Sequence, residues 1–116
     1  MIMKNFKDDF NTMVTNGIIT PNKGMIRFKF RYASKLKGGI ELLDLNVRAY
    51  NSLKRSGINT IEDIDKKWDD LSRLRNAGVK TVKEVKNKFI IYYYNSLDDN
   101  EKKQFWADTA KATIEM

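Results

Sequence analysis

The 116-residue sequence predicts a mostly α-helical protein. We expect a compact core of four to five short helices, with a helix and a β-hairpin before it and one helix after it. Three observations predict this class. Helix-capping residues precede apolar positions spaced by three and four through the middle of the chain. Strand-like alternation of apolar and basic residues comes before that part. A single proline and no low-complexity tract argue against disorder.

Residues 1–38 are predicted to form an N-terminal extension. Phe6, Phe10 and Met13 recur at helical spacing, and Asn16-Gly17 supplies a helix stop. Residues 21–24, Pro-Asn-Lys-Gly, then lie between two apolar runs. Such a turn signal between apolar runs is typical of a β-hairpin.

The second arm of this hairpin alternates in chemistry. One face would carry Ile26, Phe28, Phe30 and Tyr32, and the other would carry Arg27, Lys29 and Arg31. A basic row is ordinary on the solvated face or guarded edge of an antiparallel sheet. The same row would suit auxiliary contacts to a DNA backbone, and the sequence leaves both interpretations open.

Residues 39–95 are predicted to form a domain of short helices. Paired glycines precede it, and the hydrophobic period changes there from two to helical. Asn46 is expected to cap a helix over 47–56, and Gly57 is expected to stop it.

Two further helices and a turn complete this domain. Thr60 is expected to cap a helix over 61–65, with Asp63 in the capping-box position. A short turn over 68–74 precedes a long helix over 79–94. The apolar positions of the long helix recur at three and four: Val82, Val85, Phe89 and Tyr93.

Residues 96–116 are predicted to form a C-terminal helix that packs on the core. Phe105 and Trp106 lie on adjoining sides of that helix. Aromatic residues on such a helix more often dock on the body of a protein than bind a partner. We therefore expect both rings to be buried.

The composition excludes several classes of function. The net charge of +7 and the pI of about 9.6 favour an anionic partner, and nucleic acid, an anionic membrane face and an acidic protein all qualify. The sequence contains no cysteine and no histidine, which removes disulfides, the commonest zinc sites and histidine- or cysteine-based catalysis. No enzyme activity, cofactor, metal or small-molecule substrate is expected. With neither a secretory signal nor a membrane span visible, a cytoplasmic protein without a membrane partner is expected.

Two clusters carry side chains suited to DNA. On the first helix of the domain, Arg48, Asn51 and Ser52 are expected to project from one side, with Val47 and Leu53 facing inward. Guanidinium and carboxamide groups can reach phosphates and minor-groove base edges together. The ordinary alternative is a solvated helix face.

The second cluster is the start of the long helix, at residues 76–81. Gly78 permits a tight turn, and the first N–H groups of the helix point outward with the positive end of its dipole. A phosphate fits there, and Lys80 and Thr81 would add a charge and a hydroxyl donor. Residues 56–58 form a similar turn, so a pair of helix-hairpin-helix turns is one interpretation. Plain helix capping is the other.

Two long motifs carry a resemblance to a known family. Residues 41–60 read ELLDLNVRAYNSLKRSGINT, and residues 74–86 read LRNAGVKTVKEVK. Both motifs, in this order and at nearly the family spacing, resemble the C-terminal domain of the alpha subunit of bacterial RNA polymerase. The resemblance covers residues 40–88. It implies a compact set of short helices that inserts into the minor groove of A/T-rich DNA upstream of promoters.

The resemblance also implies roles for individual residues. The DNA contacts carried over by position are Arg48, Asn51, Ser52, Gly78, Lys80, Thr81 and Glu84. Arg48 would be the main groove probe, because a narrow A/T minor groove attracts arginine. Glu84 would orient a neighbour or a bridging water. A protein-partner surface is implied at Glu41 and Asp44, where the family touches sigma factor, and at Tyr50 and Lys54, where regulators bind.

The sequence also departs from the family. Val79 replaces a second basic residue, which removes a phosphate contact, and Ser52 replaces a frequent cysteine. The assembly domain of an alpha subunit has no counterpart, and the first forty residues are too apolar for the family's flexible linker.

Two hypotheses follow. One is a stand-alone DNA-binding protein in transcription regulation. The other is an adaptor or decoy that mimics the domain to bind sigma factor, RNA polymerase or transcription regulators.

Overall fold

A computed structural model describes residues 3–19, 28–74 and 77–114. These residues contain five α-helices: α1 (Phe6–Thr15), α2 (Val47–Arg55), α3 (Ile61–Lys66), α4 (Val79–Asn95) and α5 (Asp99–Ile114). They also contain 3₁₀ helices at Ala33–Lys35, Ile40–Leu43 and Trp68–Arg73. The prediction of a mostly helical protein is confirmed. In this part of the sequence, no helix has the length and apolar character needed to cross a bilayer.

The protein divides into two compact units. The central unit is Tyr32–Tyr93, and the terminal unit combines Met1–Arg31 with Tyr94–Met116. The central unit holds the four predicted segments, namely α2, α3, the 3₁₀ helix Trp68–Arg73 and α4 as far as Tyr93.

Local chemistry sets both ends of α2. The Asn46 Oδ1 accepts a hydrogen bond from the Ala49 N–H at 2.8 Å, which caps the helix start. Past the other end, Gly57 has a φ of +78°, a left-handed conformation that only glycine adopts without a steric penalty. The Ile58 N–H then donates to the Leu53 carbonyl at 2.9 Å. The predicted cap and stop of α2 are both confirmed.

A complete capping box begins α3. The Thr60 Oγ1 accepts from the Asp63 N–H at 3.0 Å, and the Asp63 Oδ2 accepts from the Thr60 N–H at 3.1 Å. The Asn59 N–H also donates to this carboxylate at 3.1 Å. The main-chain bond from Asn59 and the bonds with Thr60 hold the pKa of Asp63 below its usual value. The predicted capping box is confirmed.

Apolar side chains from every segment of the central unit form its core. The fully buried members include Ile40, Leu53, Ile58, Ile61, Ile64, Leu71 and Phe89. Trp68 closes one side of this core, with its ring 5.3 Å from that of Phe89. The Tyr93 hydroxyl is buried as well and accepts a hydrogen bond from the Tyr32 N–H at 2.9 Å. Burial of these side chains supplies the driving force for folding this unit.

A short antiparallel bridge ties the segment before α2 to the start of α3. Gly39 pairs with Thr60 across this bridge. The Ile40 N–H donates to the Asn59 carbonyl at 3.1 Å, and the Ile61 N–H donates to the Gly38 carbonyl at 3.0 Å. The bridge thereby anchors the 3₁₀ helix Ile40–Leu43 beside α3.

An aromatic cluster forms the core of the terminal unit. The Phe6 ring stacks on Trp106, with ring centroids 5.6 Å apart, and meets the edge of Tyr94 at the same distance. Phe105 and Trp106 are 1% and 2% exposed. The prediction that both rings are buried is confirmed, and the helical spacing of Phe6, Phe10 and Met13 corresponds to α1.

A buried polar network lies within this aromatic cluster. The Tyr94 hydroxyl accepts from the Trp106 Nε1 at 2.8 Å and donates to the Asp9 Oδ2. The Lys4 N–H donates to both oxygens of the Asp9 carboxylate at 2.9 Å. Burial, together with the bond to Asp9, raises the pKa of the Tyr94 hydroxyl above its usual value. These partners satisfy a carboxylate that is only 2% exposed.

The predicted N-terminal β-hairpin is wrong, since no strand occurs in residues 3–19, 28–74 or 77–114. Residues 17–19 form a turn and a bend, and 28–30 have no regular secondary structure. The predicted turn at 21–24 and Arg27 lie outside the described residues. Phe28 stacks on Phe105 at 5.7 Å, so its ring packs in the aromatic cluster instead of on one face of a sheet.

Candidate nucleic-acid interface

The first turn of α2 exposes a cation. Arg48 is the second residue of the helix, is solvent-exposed and makes no ion pair with any residue that the structure describes. Asn51 follows one turn later and is also exposed. Val47 is 75% exposed, so the expectation that it faces inward is wrong, whereas Leu53 is fully buried as expected.

Two residues predicted to contact DNA are largely buried. Ser52 is 4% exposed and lies on the side of α2 that Ala49 and Leu53 bury. Thr81, in the first turn of α4, is 8% exposed. Neither hydroxyl shares the exposure of Arg48, so the structure does not group them with its guanidinium on an open surface.

The start of α4 is open to solvent. Gly78 precedes the helix, and its carbonyl accepts from the Val82 N–H at 3.1 Å. A Cβ added at Gly78 would meet nothing within 4 Å, and its φ lies outside the left-handed region. The fold itself therefore does not require glycine at this position. Because glycine has no side chain to cap a helix, the first N–H groups of α4 gain no cap from this residue.

A paired hydrogen bond joins α4 to the cap of α2. The Asn46 N–H donates to the Glu84 Oε2 at 2.8 Å, and the Asn46 Nδ2 donates to the Glu84 Oε1 at 2.8 Å. Glu84 lies five residues into α4, about 7.5 Å along the helix axis from its start. The contact thus joins the start of α2 to the second turn of α4 within the central unit.

Two cations follow the start of α4. Lys80 and Lys83 are both exposed, and neither forms an ion pair with a described residue. They lie three residues apart, so they are neighbours on one helix surface. Reasoning from the sequence missed Lys83, because a lysine on a helix is usually just solvated. Its spacing from Lys80 was the available signal.

Three of the four predicted protein-partner residues form one cluster. The Tyr50 hydroxyl donates to the Glu41 Oε1 at 3.1 Å, and the Lys54 Nζ lies 3.3 Å from the same oxygen. The Lys54 ammonium also lies 5.4 Å from the centroid of the Tyr50 ring. Hydrogen bonds from the main chain of Glu41 and from Tyr50 lower the pKa of the Glu41 carboxyl.

The fourth residue, Asp44, lies beside this cluster. It has a left-handed φ of +54°, and its fully exposed carboxylate is 3.9 Å from the Lys88 Nζ. Asp44 lines a cleft of about 290 Å³ together with Glu41 and Tyr50 of the cluster, and the other lining residues are Ile40, Leu45 and Val47. This cleft joins acidic, aromatic and apolar groups.

Two of the predicted auxiliary cations, Lys29 and Arg31, belong to the terminal unit. Arg27 lies outside the described residues, and Lys29 is exposed. The Arg31 Nε and Nη2 donate to the two oxygens of Asp108, each at 2.8 Å. Gln104 donates to the same carboxylate at 2.9 Å. The bond from Arg31 is the main cause that lowers the pKa of Asp108. The Arg31 guanidinium is thus paired with α5, although its side chain is 47% exposed.

The central unit is a small helical domain that presents helix starts and exposed cations. Residues 30–89 match the family model for the C-terminal domain of the bacterial RNA polymerase alpha subunit. This match spans just over half of the 116 residues, and the protein belongs to that family. The family is DNA-binding and transcription-related, and its domain is non-catalytic. The resemblance predicted from the two motifs is confirmed. No solved structure matches the sequence.

Proposed function

We propose that this protein binds double-stranded DNA through the starts of α2 and α4, in the minor groove of A/T-rich, promoter-like sequence, and regulates transcription. The Asn46–Glu84 contact is the observation that carries the proposal. It joins the start of α2, which carries the exposed Arg48, to the second turn of α4, one turn after the exposed Lys80.

Phosphate recognition is assigned to the start of α4. Its first N–H groups carry the positive end of the helix dipole, and Lys80 adds a full charge beside them. Lys83 extends this charge along the same helix surface. The open space at Gly78 supports close approach of a DNA backbone, since no side chain projects from that residue.

Groove recognition is assigned to α2. A narrow A/T minor groove concentrates negative potential, and an exposed guanidinium such as that of Arg48 responds to it most strongly. Asn51, one turn away, offers an amide that can donate to the acceptors of the A/T base edges. Ser52 and Thr81 are assigned a supporting role in the packing of α2 and α4, because their side chains are largely buried.

Binding to matched A/T-rich and G/C-rich duplexes tests this proposal. Fluorescence anisotropy at several salt concentrations should give tighter binding to the A/T-rich duplex. The logarithm of affinity should fall against the logarithm of salt with a slope of about −3 to −4, which corresponds to three to five phosphate contacts. Equal affinity for the two duplexes would contradict minor-groove recognition.

Replacement of Arg48 with alanine tests the groove probe. It should weaken binding to the A/T-rich duplex by about 1–3 kcal/mol, or roughly fivefold to 150-fold. Arg55→Ala is the matched control, because Arg55 is also exposed, carries the same charge and lies about 10 Å further along α2. If both variants lost the same affinity, binding would be diffuse attraction to a basic protein and not insertion of Arg48.

The cleft beside α2 favours a second candidate, a protein adaptor or decoy. Its acidic and aromatic lining, with Glu41 and Tyr50 at its edge and the half-exposed Leu42 next to Glu41, suits a partner with basic and apolar side chains. Sigma factor, RNA polymerase and transcription regulators are the partners to assay. A decoy would lose partner capture on Tyr50→Ala, and Arg48→Ala would leave that capture unchanged.

A further inference from the structure

We propose that Asn46 and Glu84 form a clasp that positions Arg48 for DNA, and that Glu84 is a positioning residue and not a DNA contact. The inference rests on the proposed function and deepens it. It explains why an acidic side chain lies beside a surface assigned to phosphate.

Both polar atoms of the Asn46 side chain form hydrogen bonds. Its Oδ1 accepts from the Ala49 N–H at 2.8 Å and so caps α2. Its Nδ2 donates to the Glu84 Oε1, and its own N–H donates to the Glu84 Oε2, both at 2.8 Å. Two parallel bonds to a carboxylate fix orientation as well as distance. Rotation of the amide would break the cap and the clasp together.

The clasp lies next to Arg48, so a small displacement of the clasp changes the direction of the Arg48 side chain. Arg48 lies two residues after Asn46, in the first turn of α2, so the direction of its side chain follows the direction of that turn. Glu84 belongs to α4, the helix that carries Lys80 and Lys83. A firm link between Asn46 and Glu84 therefore holds the guanidinium at a set distance from the two lysines.

The loss of charge and the loss of positioning predict opposite changes in DNA affinity for the substitution Glu84→Gln. Glu84→Gln removes a negative charge, so on electrostatic grounds alone it strengthens DNA binding. In the clasp, it places a glutamine amide against the Asn46 amide, where two donors meet and one bond is lost. Positioning therefore predicts weaker binding. Glu62→Gln is the control for charge, because Glu62 is an exposed acid of the same unit that pairs with Lys66.

A reciprocal exchange completes the experiment. Asn46→Asp keeps an acceptor for the Ala49 N–H, so α2 stays capped, but two carboxylates then face each other. In the double variant Asn46→Asp with Glu84→Gln, the glutamine donates to the new carboxylate and accepts from the N–H of residue 46. Net charge and bond count then equal those of the parent.

We expect Glu84→Gln to weaken affinity for the A/T-rich duplex by about threefold to tenfold and Asn46→Asp by about tenfold or more. The double variant should recover affinity to within about twofold of the parent. The affinity of Glu62→Gln for the A/T-rich duplex should equal or slightly exceed that of the parent. Thermal unfolding of each variant checks that the central unit remains folded.

Two results would overturn the clasp. One is a gain of affinity in Glu84→Gln equal to the gain in Glu62→Gln. The other is a double variant that still binds as weakly as Asn46→Asp. If Arg48→Ala leaves DNA affinity unchanged, the proposed function fails, and the role of the clasp in DNA binding fails with it. If Arg48→Ala weakens binding and Glu84→Gln strengthens it, the clasp alone is wrong.

Discussion

At the scale of single residues, Val79 and Val47 occupy equivalent positions in their helices. Each is the first residue of its helix, and they are 74% and 75% exposed. The resemblance to the family implies a basic residue at the position of Val79, so α4 begins with one cation fewer than the resemblance implies. On the proposed DNA surface, both valines would contact sugar edges by dispersion forces, which do not depend on salt.

Replacement of Val79 with lysine tests this surface. The added ammonium should release one more counterion, so affinity should rise and the log–log salt slope should steepen by about one. Asn100→Lys, at an exposed position of α5, is a control for net charge and should change the slope less. An unchanged slope in Val79→Lys would mean that the start of α4 is remote from phosphate.

At the scale of elements, α2 and α3 depend on their caps. They have nine and six residues, lengths at which an isolated helix is unstable in water. Burial of Leu53, Ile61 and Ile64 supplies most of their stability. The caps satisfy main-chain groups that the short helices cannot pair by themselves.

Loss of the α3 cap should be measurable. Thr60→Ala removes the acceptor for the Asp63 N–H and should lower the free energy of unfolding by about 1 kcal/mol in urea denaturation. Thr15→Ala, at the exposed end of α1, is the matched control and should cost less than about 0.5 kcal/mol. Equal losses in the two variants would show that the capping box adds no stability.

The helices could be predicted from sequence because their signals are local. Asn46, Gly57 and Thr60 act on atoms within a few residues, and each has the predicted role. The hairpin could not be judged in this way. Alternation of apolar and basic residues predicts a strand-like period, but it does not predict which residues the side chains contact. Phe28 and Arg31 contact residues about 77 positions away, in α5.

In the candidate site, too, local properties could be predicted from the sequence, whereas long-range contacts could not. Exposure of Arg48 and Lys80 could be predicted from their charge alone. Burial of Ser52 could not, because it depends on which side of α2 meets the core. The contact between Asn46 and Glu84 joins residues 38 positions apart, and neither side chain signals the other in the sequence.

At the scale of the whole molecule, the two units are stabilised by different chemistry. The central unit has a core of mainly aliphatic side chains with a few aromatic rings, and its short helices are capped, whereas the terminal unit combines clustered aromatic rings with buried polar bonds. The ion pair between Arg31 and Asp108 joins the two separate sequence segments of the terminal unit.

This ion pair should make stability depend on pH. The pKa of Asp108 is lowered in the folded state, so its contribution is complete well above the ordinary value of 3.8 and disappears as pH falls through the lower folded value. In urea titrations, Asp108→Asn should be less stable than the parent near neutral pH, and the difference should shrink below about pH 4. A difference independent of pH would contradict a charged role for this carboxylate.

The two tryptophans of the protein fall in different units. Trp68 lies against Phe89 in the central unit, and Trp106 donates its indole N–H to Tyr94 in the terminal unit. Emission from a Trp106→Phe variant would therefore report only on the central unit, and emission from Trp68→Phe only on the terminal unit. The molecule contains its own pair of optical reporters, with which melting of each half can be followed without an attached dye.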